Sequence, residues 1–174
     1  MSRSRIALQR LCLAAVFAAL VFVATAYLPR IPTLNGYVHL GDTFVFLCAS
    51  LLPLPYAIAA SAIGGCLADL LTGYPMWAAA SLLIKGATAF CFTVKGKKML
   101  SLRNILGIPF AAVICVGGYY IWAALFISGS WIAPLAELLP NLMQSVISGI
   151  FYILLALVFD KTSPLHALRQ RNAK

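Results

Sequence analysis

Leu52-Pro53-Leu54-Pro55 interrupts an apolar stretch that runs from residue 40 to residue 72 of this 174-residue chain. The two halves, 40–52 and 56–72, are each shorter than the roughly 20 residues that a straight membrane span prefers, so length alone would also allow one broken helix. Proline lacks a backbone donor and disfavours helix in the residue before it. The prolines therefore favour two helices joined by a tight turn.

The composition indicates that the whole chain is an integral membrane domain. Apolar residues make up 63% of the sequence and charged residues 10%, whereas soluble domains are about 45–50% apolar. The first apolar run continues from Leu11 to Leu28, beyond the about 7–15 residues of a signal peptide, and we interpret it as a spanning helix. The prediction is one membrane domain, residues 1–174, with approximate spans at 9–28, 40–52, 56–72, 76–94, 104–128 and 137–159.

Basic residues fall in three clusters that predict the orientation. One precedes the first span, one lies at Lys95–Arg103, and one follows the last span. Because cytoplasmic loops carry the excess of Lys and Arg, all three are predicted to be cytoplasmic, and an even number of spans must separate the first two. The chain is thus predicted to be an all-α integral membrane protein with six transmembrane helices and both termini in the cytoplasm. This arrangement explains the net charge of +9 better than nucleic-acid binding does.

The sequence gives little support to metal, disulfide or enzyme chemistry. Its five cysteines lie in apolar runs without Cys-x-x-Cys spacing, and it has two histidines. Gly129-Ser130 lacks the flanking pattern of a nucleophile elbow, and the chain has no Walker A loop. We therefore predict no catalytic residue, no metal site and no cofactor in this chain.

Three charged residues, Asp42, Asp69 and Lys85, lie inside the apolar segments. A charge at the centre of a bilayer costs roughly 2.5–3.5 kcal/mol on insertion scales, so such residues pair with one another or face a cavity. One interpretation is structural, with Asp42 or Asp69 joined to Lys85 between two helices. The other places them in a ligand pocket.

A stripe of polar residues follows the last segment. Glu137, Asn141, Gln144, Ser145 and Ser148 recur at helical spacing. Hydrogen bonding between helices would explain part of the stripe. Five polar residues within twelve exceed what adhesion needs, which favours a pocket wall.

Aromatic residues and one long loop complete the candidate pocket. Tyr119, Tyr120 and Trp122 offer stacking surface for a flat ring. Trp77 and Trp131 fit an interfacial aromatic belt. The loop Pro29–Val38, rich in turn formers, is a candidate lid over an outward-facing site.

The first span carries two overlapping pairs of small residues, Ala14 with Ala18 and Ala15 with Ala19. Small residues at this interval let helix backbones approach closely. The pairs serve either packing within the chain or docking of another protein.

Three stretches then resemble a known family. Gly36-Tyr-Val-His-Leu-Gly-Asp42, Ile63-Gly-Gly-Cys-Leu-Ala-Asp-Leu-Leu-Thr-Gly-Tyr-Pro75 and Leu83-Ile-Lys-Gly86 are similar to the substrate-binding S component of energy-coupling factor (ECF) transporters. The resemblance is closest to the group for pyridoxine or hydroxymethylpyrimidine, with riboflavin-type members nearby.

The resemblance implies a multi-pass protein of a prokaryotic plasma membrane that captures a water-soluble vitamin from outside. Its partners would be a transmembrane coupling protein and two ABC-type ATPases, which would bind the ATP and Mg. It also implies docking of the coupling protein on Ala14, Ala15, Ala18 and Ala19, and closure of the site by the loop Pro29–Val38.

We therefore predict a binding and transport subunit rather than an enzyme, with pyridoxine or hydroxymethylpyrimidine as the first candidate ligand. The predicted ligand contacts are Asn35, Tyr37, Asp69, Lys85, Tyr119, Trp122, Asn141 and Gln144. One alternative is an ion-coupled secondary carrier with Asp42 or Asp69 as its coupling carboxylate, although the two halves show no evident inverted repeat. Another is a small intramembrane enzyme or a structural subunit.

Overall fold

The computed structural model describes residues 3–28, 31–33, 37–96 and 98–173, and these residues are almost entirely helical. The elements, in chain order, are α1 (Arg3–Ala26), β1 (Ile31–Pro32), β2 (Tyr37–Val38), α2 (Gly41–Leu51), α3 (Leu54–Leu71), α4 (Pro75–Thr88), α5 (Leu102–Trp122), α6 (Leu138–Lys161) and α7 (Ser163–Asn172). A 3-10 turn, Ala89–Cys91, follows α4; a π-helical segment, Ala123–Ser128, continues α5; and a 3-10 turn, Ala133–Glu137, leads into α6.

A helix overlaps each of the six predicted apolar segments. Within the described residues, four helices are long and apolar enough to cross a bilayer, namely α1, α3, α5 with its π-helical continuation, and α6 with its preceding turn. The predicted break at Leu52–Pro55 is confirmed, because Pro53 adopts an extended conformation with φ −58° and ψ 145° between α2 and α3. Helix α7 was not predicted.

Helix α2 has only 11 residues because protein surrounds it on nearly all sides. Every residue of α2 except Phe44 is buried. At its centre the Phe46 ring stacks on Phe92 with centroids 4.7 Å apart, and Tyr152 of α6 meets both rings edge-on. A helix enclosed in this way contacts other helices in place of lipid, so it does not need the length of a lipid-facing span.

The close packing of α1 on α3 separates the two alanine pairs of α1. A Cβ atom at Gly64 would lie 2.6 Å from the Ala18 carbonyl oxygen, so the backbones touch where glycine leaves room. Ala14 is buried on the same side, whereas Ala15 and Ala19 are exposed. The first pair therefore packs within the chain, and only Ala15 and Ala19 present a surface that a partner could reach.

The N-terminus and the C-terminus of α2 lie in different surroundings, which we use to name the two ends of the helical bundle. Its N-terminus lies beside the antiparallel hairpin β1–β2, in which Ile31 pairs with Val38. At its C-terminus, Arg169 of α7 donates to the Ser50 carbonyl at 3.0 Å and Asn172 donates to the Leu51 carbonyl at 3.0 Å. These bonds satisfy carbonyls that a helix end leaves without partners. We call this second end the basic end, since α7 and the Lys95–Arg103 loop meet there.

Arg169 is 1% exposed and is held by backbone oxygens. Besides Ser50, it donates to the carbonyl oxygen of Gly96 at 2.6 Å. Burial lowers the pKa of its guanidinium below the ordinary value, and nearby Asp160 opposes that shift. Asp160 in turn accepts from the backbone N–H of Met99 at 2.7 Å. The loop before α5 is therefore fixed to both α6 and α7.

Candidate substrate-binding site

The intramembrane cation pairs with one of the two candidate carboxylates. Lys85 Nζ lies 2.5 Å from Asp42 Oδ1, and both side chains are at most 3% exposed. Gln144 donates from Nε2 to the other Asp42 oxygen at 2.9 Å. A Cβ at Gly65 would lie 2.8 Å from Lys85 Cγ, so glycine makes room for the lysine stem. This sealed group ties α2, α4 and α6 together.

Asp69 has a different environment. Its Oδ2 accepts a short hydrogen bond from the Ser81 hydroxyl, and its Oδ1 accepts from the Tyr37 hydroxyl at 3.4 Å. Ser81 also shares a hydrogen bond with the Tyr119 hydroxyl at 2.6 Å. Among the described residues, no cation lies within ion-pair distance of Asp69. Within the described part of the chain, the partners of Asp69 are thus two hydroxyl groups.

A cavity of about 60 Å³ lies between the hairpin and helices α3 to α6. Five predicted contact residues line it, together with eight others. The lining consists of Thr33, Tyr37, Val38, His39, Asp69, Tyr74, Trp77, Ser81, Tyr119, Glu137, Pro140, Asn141 and Gln144. At roughly 10–15 Å³ for each water, such a space holds a few water molecules. A larger molecule could therefore enter only if the hairpin shifted.

Aromatic rings form two pairs in the cavity wall. Trp77 meets Tyr119 edge-on at 5.7 Å between centroids, and Tyr37 meets Tyr74 edge-on at 5.1 Å. Rings of this kind favour stacked or edge-on contact with a flat aromatic ligand. The site therefore combines ring surfaces with carboxylate and amide groups.

Gln144 connects the hairpin to the buried ion pair. Its Oε1 accepts a hydrogen bond from the His39 backbone N–H at 3.2 Å, while its Nε2 donates to the Asp42 carboxylate. The His39 Nδ1 accepts from the Gly41 N–H at 3.0 Å, which fixes the turn into α2. Movement of the hairpin would therefore strain or break the contact to Gln144.

Two predicted ligand contacts, Lys85 and Trp122, do not line the cavity, and a third lies outside the described residues. Lys85 is sealed beneath the cavity, with its ammonium 5.1 Å from the centroid of the Tyr119 ring. Trp122 donates to the Met76 carbonyl at 3.0 Å and does not line the cavity. Asn35 lies outside the described residues. Three members of the polar stripe line the cavity, namely Glu137, Asn141 and Gln144, whereas Ser145 and Ser148 are not in the lining.

The sequence reasoning missed two important wall residues on α4. Trp77 was assigned to an interfacial belt, and Ser81 was not considered. Both precede Lys85 at intervals of four residues, which places all three on one helix face. Reading that face upward from the intramembrane lysine would have found them.

Comparison with known proteins gives two matches. The family model described as "ECF-type riboflavin transporter, S component" matches residues 5–161. A protein of Pyrococcus woesei, described as "Uncharacterized protein in gap 3'region", is 32% identical over 121 residues, which cover 69% of this chain and 79% of the relative. The family match ends at Lys161, the last residue of α6, so α7 lies beyond it.

Proposed function

This chain belongs to the ECF-type riboflavin transporter S component family, and we propose that it captures a flat, neutral or cationic vitamin ring in the cavity under the hairpin. The observation that carries the ligand class is Asp69, a carboxylate that lines the cavity and, among the described residues, accepts hydrogen bonds from the hydroxyl groups of Ser81 and Tyr37. A ligand N–H or O–H group can supply the charge-assisted hydrogen bond that this carboxylate accepts.

The charge of the wall favours some vitamins over others. Asp69 and Glu137 both line the cavity, and its described lining contains no Lys or Arg. An anionic vitamin would meet the carboxylates of Asp69 and Glu137, and such like-charge contact is a common source of selectivity. We expect carboxylate vitamins such as biotin and pantothenate to be rejected.

The candidate ligands differ in the number of their rings, so they are tested separately. Pyridoxine or hydroxymethylpyrimidine has a single ring, so it would require the smaller displacement of the hairpin around the cavity of about 60 Å³. Riboflavin is suggested by the family description, and its three fused rings would require a larger displacement of the hairpin. In both cases Trp77 and Tyr119 supply ring contact, and Asn141 supplies an amide.

The test is calorimetry and thermal unfolding of the detergent-purified chain with each vitamin. Stabilisation should grow with ligand concentration as RT ln(1 + [L]/Kd). We expect a response to pyridoxine or hydroxymethylpyrimidine, or to riboflavin, and none to biotin or pantothenate. Tight binding of a carboxylate vitamin would overturn the proposed ligand class, and silence from folded protein across the panel would overturn the proposed site.

We propose six membrane crossings, with the cavity outside and the basic end in the cytoplasm of a prokaryotic cell. The basic residues around α7 and the Lys95–Arg103 loop support this orientation, because they lie at the opposite end of α2 from the cavity. In a cysteine-free background, a membrane-impermeant thiol reagent added to intact cells should label Ser130→Cys and not Lys98→Cys. The reverse pattern would contradict the orientation.

Uptake would require a coupling protein and two ABC-type ATPases, which would bind the ATP and Mg. The exposed pair Ala15 and Ala19 is the proposed docking face on α1. Ala19→Trp should preserve vitamin binding and block uptake, whereas Ala14→Trp should destabilise the subunit itself, because Ala14 is buried. Vitamin accumulation without ATPases that collapses with an uncoupler would instead support a secondary carrier.

A further inference from the structure

A second and larger space lies at the basic end, remote from the vitamin cavity. This groove of about 780 Å³ is bounded by α1, the start of α3, the loop between α4 and α5, and the end of α7. Its residues have no part in the proposed vitamin site. The groove has one cationic wall and one apolar wall.

The cationic wall consists of Arg10, Lys95 and Arg103, and the described lining contains no carboxylate. None of the three forms a salt bridge within the described part of the chain. Ser101, which also lines the groove, caps the N-terminus of α5 by accepting from the Asn104 N–H at 3.4 Å. The positive end of that helix adds to the attraction for an anion.

The backbone that carries these cations is fixed. Asn104 accepts from the Thr93 N–H at 2.8 Å and donates to the Thr93 carbonyl at 3.0 Å. Arg169 donates a hydrogen bond to the Gly96 carbonyl oxygen. Arg10 is positioned by a bond from its Nε to Asn172 Oδ1 at 3.3 Å. The cationic wall is therefore built by contacts from α5 and α7 rather than by an unsupported loop.

The apolar wall is exposed at the surface of the protein. It includes Leu54 at the start of α3 and Phe90 just after α4, which are 38% and 57% exposed. Leu52 and Phe92 lie behind them and are buried. Since Leu54 is the first residue of a candidate membrane span, we infer that the groove lies where the hydrocarbon region meets water. A free inorganic anion would make no use of the apolar wall.

We propose that this groove binds an anionic membrane lipid. Its phosphate headgroup would lie among Arg10, Lys95 and Arg103, and an acyl chain would follow Leu54 and Phe90 into the bilayer. Basic pockets between helices on the cytoplasmic side of membrane proteins bind headgroups of this kind. The bound lipid would connect α1 with the loop before α5 and with α7.

The experiment is native mass spectrometry of the full-length, detergent-purified chain titrated with dioleoyl-phosphatidylglycerol or dioleoyl-phosphatidylcholine. We expect the anionic lipid to bind at least tenfold more tightly. Removing one cation with Arg103→Gln or Lys95→Gln should weaken lipid binding by about fivefold. This factor corresponds to the about 1 kcal/mol that each Lys or Arg contributes near an anionic membrane surface. Lys98→Gln is the matched control, because Lys98 is an exposed cation of the same loop that does not line the groove.

The outcomes separate the possible occupants. Melting of each variant in lipid-free detergent checks folding, and Lys95→Gln carries the test if Arg103→Gln does not fold. Equal binding of the two lipids, or equal weakening by Lys98→Gln, would overturn the proposal and leave the coupling protein as the candidate occupant. Competition by inorganic phosphate at the concentration of the lipid would also overturn it, because the apolar wall would then contribute nothing.

Discussion

Asp42 and Asp69 are both buried carboxylates near the same end of the helical bundle, yet they have different partners. Asp42 lies 2.5 Å from the Lys85 ammonium and also accepts from Gln144. Asp69 accepts from the hydroxyl groups of Ser81 and Tyr37 and borders the cavity. The first group joins three helices, and we propose that the second leaves a charge for a ligand to meet.

One face of α4 supplies both environments. Ser81 and Lys85 are one turn apart, so a hydroxyl faces Asp69 nearer the cavity and an ammonium faces Asp42 one turn deeper. The Tyr119 ring contacts both turns, through its hydroxyl to Ser81 and its ring toward Lys85. The two carboxylates are thus distinguished by their partners and not by burial, and the proposed difference in their roles rests on those partners.

The largest effect should come from breaking the sealed pair. Lys85→Met keeps the apolar stem but leaves Asp42 buried without its cation, which costs about 3–5 kcal/mol of the free energy of unfolding. Unfolding of the vitamin-free protein in detergent measures the change. The double variant Lys85→Met with Asp42→Asn should recover most of the loss. A single variant as stable as the wild type would show that the pair does not stabilise the fold.

Asp69→Asn should lower the affinity for the vitamin and leave the stability of the vitamin-free protein nearly unchanged. It keeps a side chain of the same shape but removes the charge that we propose the ligand meets. Affinity for the vitamin should fall by about tenfold to a hundredfold, corresponding to about 1.5–3 kcal/mol for a hydrogen bond to a charged group. The melting temperature of the vitamin-free protein should change little. If stability fell and affinity did not, Asp69 would join Asp42 as a structural residue.

Gln144→Ala should lower both the stability of the protein and its affinity for the vitamin, because the Gln144 amide joins the hairpin to Asp42. Leaving these buried partners unsatisfied should cost about 1–3 kcal/mol in stability, and loss of the hairpin contact should also weaken vitamin binding. Parallel unfolding and calorimetry would separate the two effects. A change in neither quantity would remove Gln144 from the connection between the two regions.

The smallest expected effect is a change in vitamin affinity, which we test by substituting two tryptophans in turn. Trp77→Phe should weaken vitamin binding by a few fold, in line with the about 0.5–1.5 kcal/mol of an aromatic pair. Trp122→Phe is the matched control, since Trp122 lies outside the cavity lining, and it should leave affinity unchanged. Equal losses in calorimetry would contradict the placement of the cavity.

The sequence predicted the pocket wall on α6 better than the wall on α4. Asn141 and Gln144 form an unusual polar stripe in an apolar segment, and that contrast is visible along the chain. Trp77 and Ser81 are ordinary residues for a membrane helix, and their importance follows from contacts with Tyr119 and Asp69 on other helices. The roles of Lys85 and Trp122 could not be assigned because helical spacing does not give the rotation of a helix within a bundle.

Composition and local chemistry were sufficient to predict a membrane protein and the break between α2 and α3, and three stretches of sequence carried the resemblance to an S component. Apolar content and proline act through solvent and through the local backbone, so their effects can be read along the chain. The tertiary structure decided which aspartate pairs with Lys85, which alanines remain exposed, and how α7 closes the basic end. These outcomes depend on distances between residues far apart in sequence, such as Lys85 and Asp42 or Arg169 and Ser50, and only the packing of the helices fixes those distances.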